Sequence, residues 1–188
     1  MVLVPPHLAE RGALGPGPRD TLVEHQLTIR SASLADGFLI HELTQAIWSG
    51  RVSPESTVFR ETPETVSAQI AKGGAVILED AGEPIGAGRF VFVPPPRSGR
   101  ARWIEIKRIG VLRGRQKAGL GRMILASLEA AGREAGAEGA QLAVRTDQPR
   151  LVDYYLACGY ELAGDVRLTT PNPRSAEPTG MRKWFERA

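Results

Sequence analysis

The chain has 188 residues, 42% of them apolar, and a net charge of +3 at neutral pH, which fits one globular domain with a real core. No apolar run approaches the ~20 residues that cross a bilayer, and Val2-Leu3-Val4 is cut by Pro5-Pro6 before it makes a secretory core, so a cytoplasmic location is the default expectation. Cys158 is the only cysteine, which excludes an internal disulfide and fits a reducing compartment.

Residues 1–24 carry Pro5, Pro6, Gly12, Gly15, Pro16, Gly17 and Pro18 and read as a flexible arm, with a single domain over 25–188. Leu27-Thr28-Ile29-Arg30 alternates as a first strand. Phe38, Leu39, Leu43 and Ile47 recur at helical spacing over Ala35–Trp48. Ser53-Pro54 marks a loop, and Thr62-Pro63-Glu64 opens a second helix with Thr62 as its cap. Ala75–Leu78 and Ile85–Val93 flank Asp80-Ala81-Gly82-Glu83-Pro84, a hairpin signal, and Pro94-Pro95-Pro96 ends the second of these strands. Trp103–Val111 is a strand rich in β-branched residues. Leu120, Met123, Ile124, Leu128 and Ala131 then mark a third helix. Gln141–Val144 is a buried strand, and Pro149–Cys158 a short helix stopped by Gly159. Tyr160–Leu168 and Met181–Phe185 read as the final strands, with a polar loop over Thr170–Gly180 between them.

The segment Gln116-Lys117-Ala118-Gly119-Leu120-Gly121 stands where a strand gives way to a helix. Such a turn gathers unpaired backbone N–H groups at the positive end of a helix dipole, which suits a phosphate or pyrophosphate. A nucleoside-triphosphate loop requires Gly-Lys-Ser/Thr, but Gly121 is followed by Arg122-Met123. A dinucleotide fingerprint requires Gly-x-Gly-x-x-Gly, and Gly114, Gly119 and Gly121 have the wrong spacing. The remaining pattern is Gln/Arg-x-x-Gly-x-Gly after a strand.

With Val111 five positions before Gln116, this stretch resembles the acetyl-CoA signature of the GNAT superfamily of N-acetyltransferases. A second block, Gln148 through Tyr160, resembles that family's Asn-x-x-Ala-x-x-x-Tyr-x-x-x-Gly-Phe segment, with Gln148 in place of Asn and Leu151 in place of Ala. The resemblance covers residues 26 to 187. It implies an α/β (α+β) fold with a mixed, mostly antiparallel central sheet flanked by helices, the GNAT-like acyl-CoA N-acyltransferase fold. It also implies transfer of an acetyl group from acetyl-CoA to a primary amine by direct attack in a ternary complex. The alternative is a non-catalytic acetyl-CoA-binding sensor or scaffold.

That chemistry needs a neutral amine, a stabilised thioester oxygen and a proton donor for the departing thiolate. Glu105, eleven positions before Gln116, resembles the family's strand glutamate and is the candidate base; an ion pair with a basic neighbour is the competing role. Tyr155 matches the family tyrosine and is the candidate acid, with a core position as its alternative. The resemblance assigns the oxyanion to backbone N–H groups near Ile109, Gly110 and Val111. Gln116, Lys117, Ala118, Gly119, Leu120, Gly121 and Arg122 are assigned to the cofactor pyrophosphate, with Gln148 as a further contact. Arg115 and Lys117 reach outer phosphates or are solvated surface charges. Cys158 reads as packing rather than a nucleophile. His7, His25 and His41 lack ligand spacing, so no metal site is expected.

Between Arg97 and Arg122 stand nine basic residues against Glu105 alone, a local net of +8 that would draw an anionic ligand such as coenzyme A. Without aromatic interleaving or a nucleic-acid motif, a nucleic-acid partner is not expected, and neither is a membrane. The acceptor is a small-molecule or peptide amine. Its site is expected between the first two helices and the Thr170–Gly180 loop. The mild acidity of residues 35–64 suits a cationic amine or is ordinary helix surface. A homodimer is a family-level expectation.

Overall fold

The computed structural model describes residues 26–96, 101–116 and 119–186, so the arm expected at 1–24 lies outside the described residues. The elements run β1 (Leu27–Ser31), α1 (Gly37–Trp48), α2 (Pro63–Ala71), β2 (Gly73–Asp80), β3 (Glu83–Val93), β4 (Arg102–Val111), α3 (Leu120–Glu134), β5 (Ala137–Val144), α4 (Arg150–Ala157), β6 (Glu161–Leu162) and β7 (Thr179–Trp184). Short 3-10 turns at Leu34–Asp36 and Thr57–Arg60 precede the first two helices.

The strands form one sheet in the order β1-β2-β3-β4-β5-β7-β6. Every neighbouring pair is antiparallel except β4 and β5, which are parallel and joined through α3. This is the mixed, mostly antiparallel sheet flanked by helices that the sequence led us to expect.

Period-two alternation along β2 distributes the core to both faces of the sheet. Ala75 and Ile77 join Ile40, Leu43, Ile47, Val66 and Ile70 of α1 and α2. Val76 and Leu78 join Ile124, Leu125 and Leu128 of α3 on the other face. Local chemistry sets the element ends. Thr62 Oγ1 accepts from the Thr65 amide at 3.3 Å, and Thr65 Oγ1 accepts from the Thr62 amide at 2.8 Å. This reciprocal cap starts α2, with Pro63 in the first turn. Ala81 and Gly82, both at positive φ (51° and 84°), close the β2–β3 hairpin.

One expected element is corrected. Tyr160–Leu168 is not a long strand: the strand is confined to Glu161 and Leu162, and the last bond to β7 is from the Ala163 amide to the Gly180 carbonyl at 2.9 Å. The chain turns at Gly164-Asp165, and Asp165 pairs with Arg182. The Arg167 carbonyl then accepts from Gln141 Nε2 (2.8 Å), and the Thr169 amide donates to Glu105 (2.7 Å). Those two long-range bonds draw the segment off the sheet edge and across β4.

Candidate active site

The site begins with a defect in β4. Ala87 faces Gly110 and Arg89 faces Lys107, so Gly88 alone stands opposite both Arg108 and Ile109. This is a β-bulge, and it bends the strand. Arg108 adopts φ 59°, a left-handed conformation costing a side-chain-bearing residue about 1–3 kcal/mol. Side-chain bonds hold it there: Arg108 Nε donates to Glu61 at 3.0 Å and Nη2 to Thr57 at 2.9 Å. Two glycines let the neighbouring helices close on the bulge. A Cβ on Gly88 would lie 2.8 Å from both Ile124 and Leu128 of α3, and one on Gly110 would lie 2.5 Å from Ile47 of α1.

The bend opens the sheet. β4 and β5 pair only from Arg102 to Glu105, after which β5 continues alone against β7. A cavity of about 390 Å³ fills the gap. Its floor is Glu105–Arg108; its walls come from Ser53–Thr57, from Arg145–Asp147 after β5, and from the loop containing Thr170, Asn172 and Arg174.

Glu105 is buried at the last paired position. Its oxygens accept from the Thr169 amide (2.7 Å), the Thr169 hydroxyl (3.0 Å) and Lys107 Nζ (2.9 Å). Lys107 also donates to the Thr169 and Thr170 hydroxyls, at 2.7 and 2.9 Å. Burial pulls the Lys107 ammonium below its ordinary value, against the opposing effect of Glu105. Behind them, Glu61 bridges Arg89 and Arg108. Burial would raise the Glu61 carboxyl, but the two guanidiniums outweigh it and hold the group below the usual carboxylate range. Arg89 is fully buried, donates to Gln69 at 2.7 Å, and leaves Nη1 without a partner.

Beyond Val111 the chain passes through a turn with Gly114 at φ 83° and reaches α3. Gly119, at φ 92°, is the N-cap of α3; no side chain caps the helix, and the space beside its Cα is open. The N–H groups of a helix's first turn have no acceptor within the helix. Leu120 is buried, Gly121 half-buried and Arg122 exposed, while Lys117 and Ala118 lie outside the described residues. Gln116 is engaged from an unexpected direction. With its amide turned to accept, its oxygen lies 2.8 and 3.1 Å from the Arg51 guanidinium nitrogens. Arg51 also donates to the Val111 carbonyl at 3.3 Å. Arg115 is tied to buried Asp80 at 3.0 Å.

Tyr155 lies on α4 and packs against the larger core, edge-on to Tyr154 and Tyr160 with ring centroids 5.1 and 5.7 Å away. Burial first, and Tyr154 second, push its phenol above the ordinary range. Tyr154 has a buried hydroxyl, 3.7 Å from where a Cβ on Gly121 would stand. Burial, with the Cys158 thiol beside it, pushes Tyr154 up to about 12. Gln148 sits in the turn before α4, where its carbonyl accepts from the Leu151 amide at 3.0 Å.

The structure thus gathers Glu105, Ile109, Gly110 and Val111 on one bulged strand and follows it with Gln116 and an uncapped helix at Gly119–Arg122. Sequence reading missed Arg51, Glu61, Arg89, Arg145, Thr169 and Arg174. All but Arg145 make their site contacts with residues distant in the chain, so no local motif marks them. Among the described residues no cluster of His, Cys, Asp and Glu is arranged to hold a metal ion, and no helix is long and apolar enough to cross a membrane.

A parallel strand pair that parts beside a bulge is thus followed by a glycine turn into an uncapped helix. The sequence profile of the Acetyltransferase (GNAT) family matches residues 40–160, and the chain belongs to that family. Solved structures agree on the fold. The PaiA N-acetyltransferase from Thermoplasma acidophilum, in complex with coenzyme A, superposes with a TM-score of 0.64 at 15% identity, covering 85% of this chain and 99% of that one. A GNAT-family acetyltransferase from Staphylococcus aureus gives 0.65 at 11% identity, with the same coverage of both chains. Arabidopsis thaliana Naa50, in complex with the bisubstrate analogue CoA-Ac-MVNAL, gives 0.62 at 15% identity, again covering 85% and 99%. No curated protein matches the sequence significantly.

Proposed function

We propose that the chain transfers the acetyl group of acetyl-CoA to a primary amine by direct attack in a ternary complex. The observation that carries this reading is the sequence of three features along one stretch of chain: the bulge at Arg108, the gap between β4 and β5 with its cavity, and the uncapped N-terminus of α3. The residues present suit acetyl-CoA. Gly119 leaves open space beside the backbone at a helix N-terminus, which favours an anion there, and Arg122 adds a cation in the first turn.

Bound acetyl-CoA supplies an activated acetyl group as a thioester. The chain does the rest. Backbone N–H groups along Gln116 to Arg122 would hold the pyrophosphate, and Gln148 would add a further contact to the cofactor. The bulge leaves Arg108 and Ile109 outside the strand register, and N–H groups at Ile109, Gly110 and Val111 stabilise the oxyanion. Tyr155, whose raised pKa keeps it protonated, gives its proton to the departing sulfur. Glu105 receives the amine proton through water. The setting is cytoplasmic, in keeping with a lone free cysteine.

A second reading of Glu105 is favoured by one observation: three donors already occupy its two oxygens. In that reading it anchors Thr169 to β4. Glu105→Gln separates the two. A base loses the acidic limb of the kcat/KM pH profile, whereas an anchor lowers turnover and leaves the profile's shape unchanged. Initial velocities with both substrates varied test the wider proposal. Intersecting lines support a ternary complex; parallel lines would require a covalent acetyl-enzyme and overturn it.

A further inference from the structure

The charged groups beneath the cavity do not balance. Arg89 is fully buried, and Arg108 and Lys107 have side chains 18% and 10% exposed. These three cations share two carboxylates, Glu61 and Glu105. Glu105 already accepts three donors, and Glu61 serves two guanidiniums at once. Arg89 Nη1 is buried without a partner, and Arg108 Nη1 finds none among the described residues. Excess charge of this kind is costly in a poorly solvated site. The other charged side chains of the cavity cancel locally: Arg145 pairs with Asp147 at 3.0 Å and Arg174 with Glu55 at 2.9 Å. The uncompensated positive charge therefore faces the cavity through Arg108, which lines it.

The acidity of residues 35–64 does not offset this. Asp36 is used by Arg30, Glu42 sits beside His41, Glu55 is used by Arg174, Glu61 is already counted, and Glu64 lies exposed beside Thr62 at the start of α2, away from the cavity lining. A polycationic acceptor would meet no free carboxylate at the cavity floor. The pyrophosphate of acetyl-CoA cannot supply the missing charge if, as proposed above, it is held at the N-terminus of α3.

Building on the acetyltransferase reading, we infer that the acceptor amine carries an anionic group, a carboxylate or phosphate, that pairs with Arg108 in the cavity between β4 and β5. The acceptor class is then an amino acid or a similarly acidic amine, not a polyamine. A charge-assisted bond at a partly buried guanidinium corresponds to about tenfold or more in affinity.

Two arms test this on the full chain. In the first, thermal unfolding is followed with a set of N-acetyl amino acids and their N-acetyl amides, which mimic product, at equal ionic strength in chloride. The acids raise Tm, the amides do not, and Arg108→Asn removes the difference. Asparagine tolerates positive φ, and its introduction leaves Arg89 and Glu61 as a balanced pair, so this variant folds. Arg108→Lys retains the acid preference in part. In the second arm, kcat/KM is compared for amino acids against their amides and for O-phosphoethanolamine against ethanolamine. The anionic member of at least one pair leads by about tenfold or more, and the lead disappears in Arg108→Asn. Preference for the carboxylate or for the phosphate pair identifies the anion. Equal or better use of the neutral amines, no acid-selective Tm shift, or a preference that survives Arg108→Asn would each overturn the inference. If no amine turns over while the acid-selective shift persists and depends on Arg108, the anion site stands and the transferase reading falls.

Discussion

Replacing Glu61 with glutamine removes the one carboxylate shared by Arg89 and Arg108 while nearly preserving shape. Arg89 is fully buried and the Glu61 side chain only 9% exposed, so both guanidiniums would remain in place without a counter-charge. Breaking a buried pair by removing one partner costs about 3–5 kcal/mol. For a chain of this size each kcal/mol moves Tm by roughly 2–4 °C, so a fall of about 6–20 °C is expected. The sign of the pH dependence follows from the lowered Glu61 pKa. A carboxyl depressed in the folded state adds stability above its unfolded value of about 4.3 and loses it as pH falls through the folded value. Wild type should therefore lose its advantage over Glu61→Gln on acidification below that range. Urea unfolding at pH 7 and over a descending pH series that starts at about 4.3, followed by circular dichroism, measures both effects. A loss at pH 7 within about 0.5 kcal/mol, the range of a neutral surface change, would refute the buried charge cluster. The comparison with Arg108→Asn sharpens the test, since that variant keeps one cation on one carboxylate and should lose less stability.

Gly110→Val places a side chain where Ile47 stands 2.5 Å from the new Cβ; overpacking should cost about 1–3 kcal/mol, and an unchanged urea midpoint would contradict the close packing of α1 on the bulge. Gly119→Glu forces a side chain onto a residue at φ 92° and puts a carboxylate where phosphates are proposed to bind; acetyl-CoA binding by calorimetry should vanish with the far-ultraviolet spectrum intact, and retained binding would remove the loop assignment. Tyr155→Phe should lower turnover by about 10²-fold or more with the Kd for acetyl-CoA little changed. If turnover is unaltered, the acid is another group, and Tyr154, with its hydroxyl near Gly121, is the next to replace.

Elements governed by neighbours in the chain were legible in the sequence. The Thr62 cap, the Asp80–Pro84 hairpin and the glycine turn into α3 each depend on a few consecutive residues. Tyr160–Leu168 misled because its alternation is real but its environment is not a sheet. Gly164-Asp165 turns the chain, and bonds from Gln141 and to Glu105 hold it across β4, the latter 64 residues away. The same distance hides much of the site. Nothing near Glu61 in sequence indicates that Arg89 and Arg108, 28 and 47 residues on, converge upon it. The basic run from Arg97 to Arg122 looked like a field for an anionic cofactor, yet among its described members Lys107, Arg108 and Arg115 each have a carboxylate partner. What survives of that field is the excess charge at Arg108, which points to the acceptor side of the site.

The most direct measurement is thiol release from acetyl-CoA in the presence of peptides, amino acids, polyamines and aminoglycosides, with acetyl-CoA binding measured alongside. The account predicts saturable binding and amine-dependent thiol release, strongest with an acceptor that carries an anionic group. Absence of both binding and release would contradict it, and binding without release from any amine would leave an acetyl-CoA sensor in place of the enzyme.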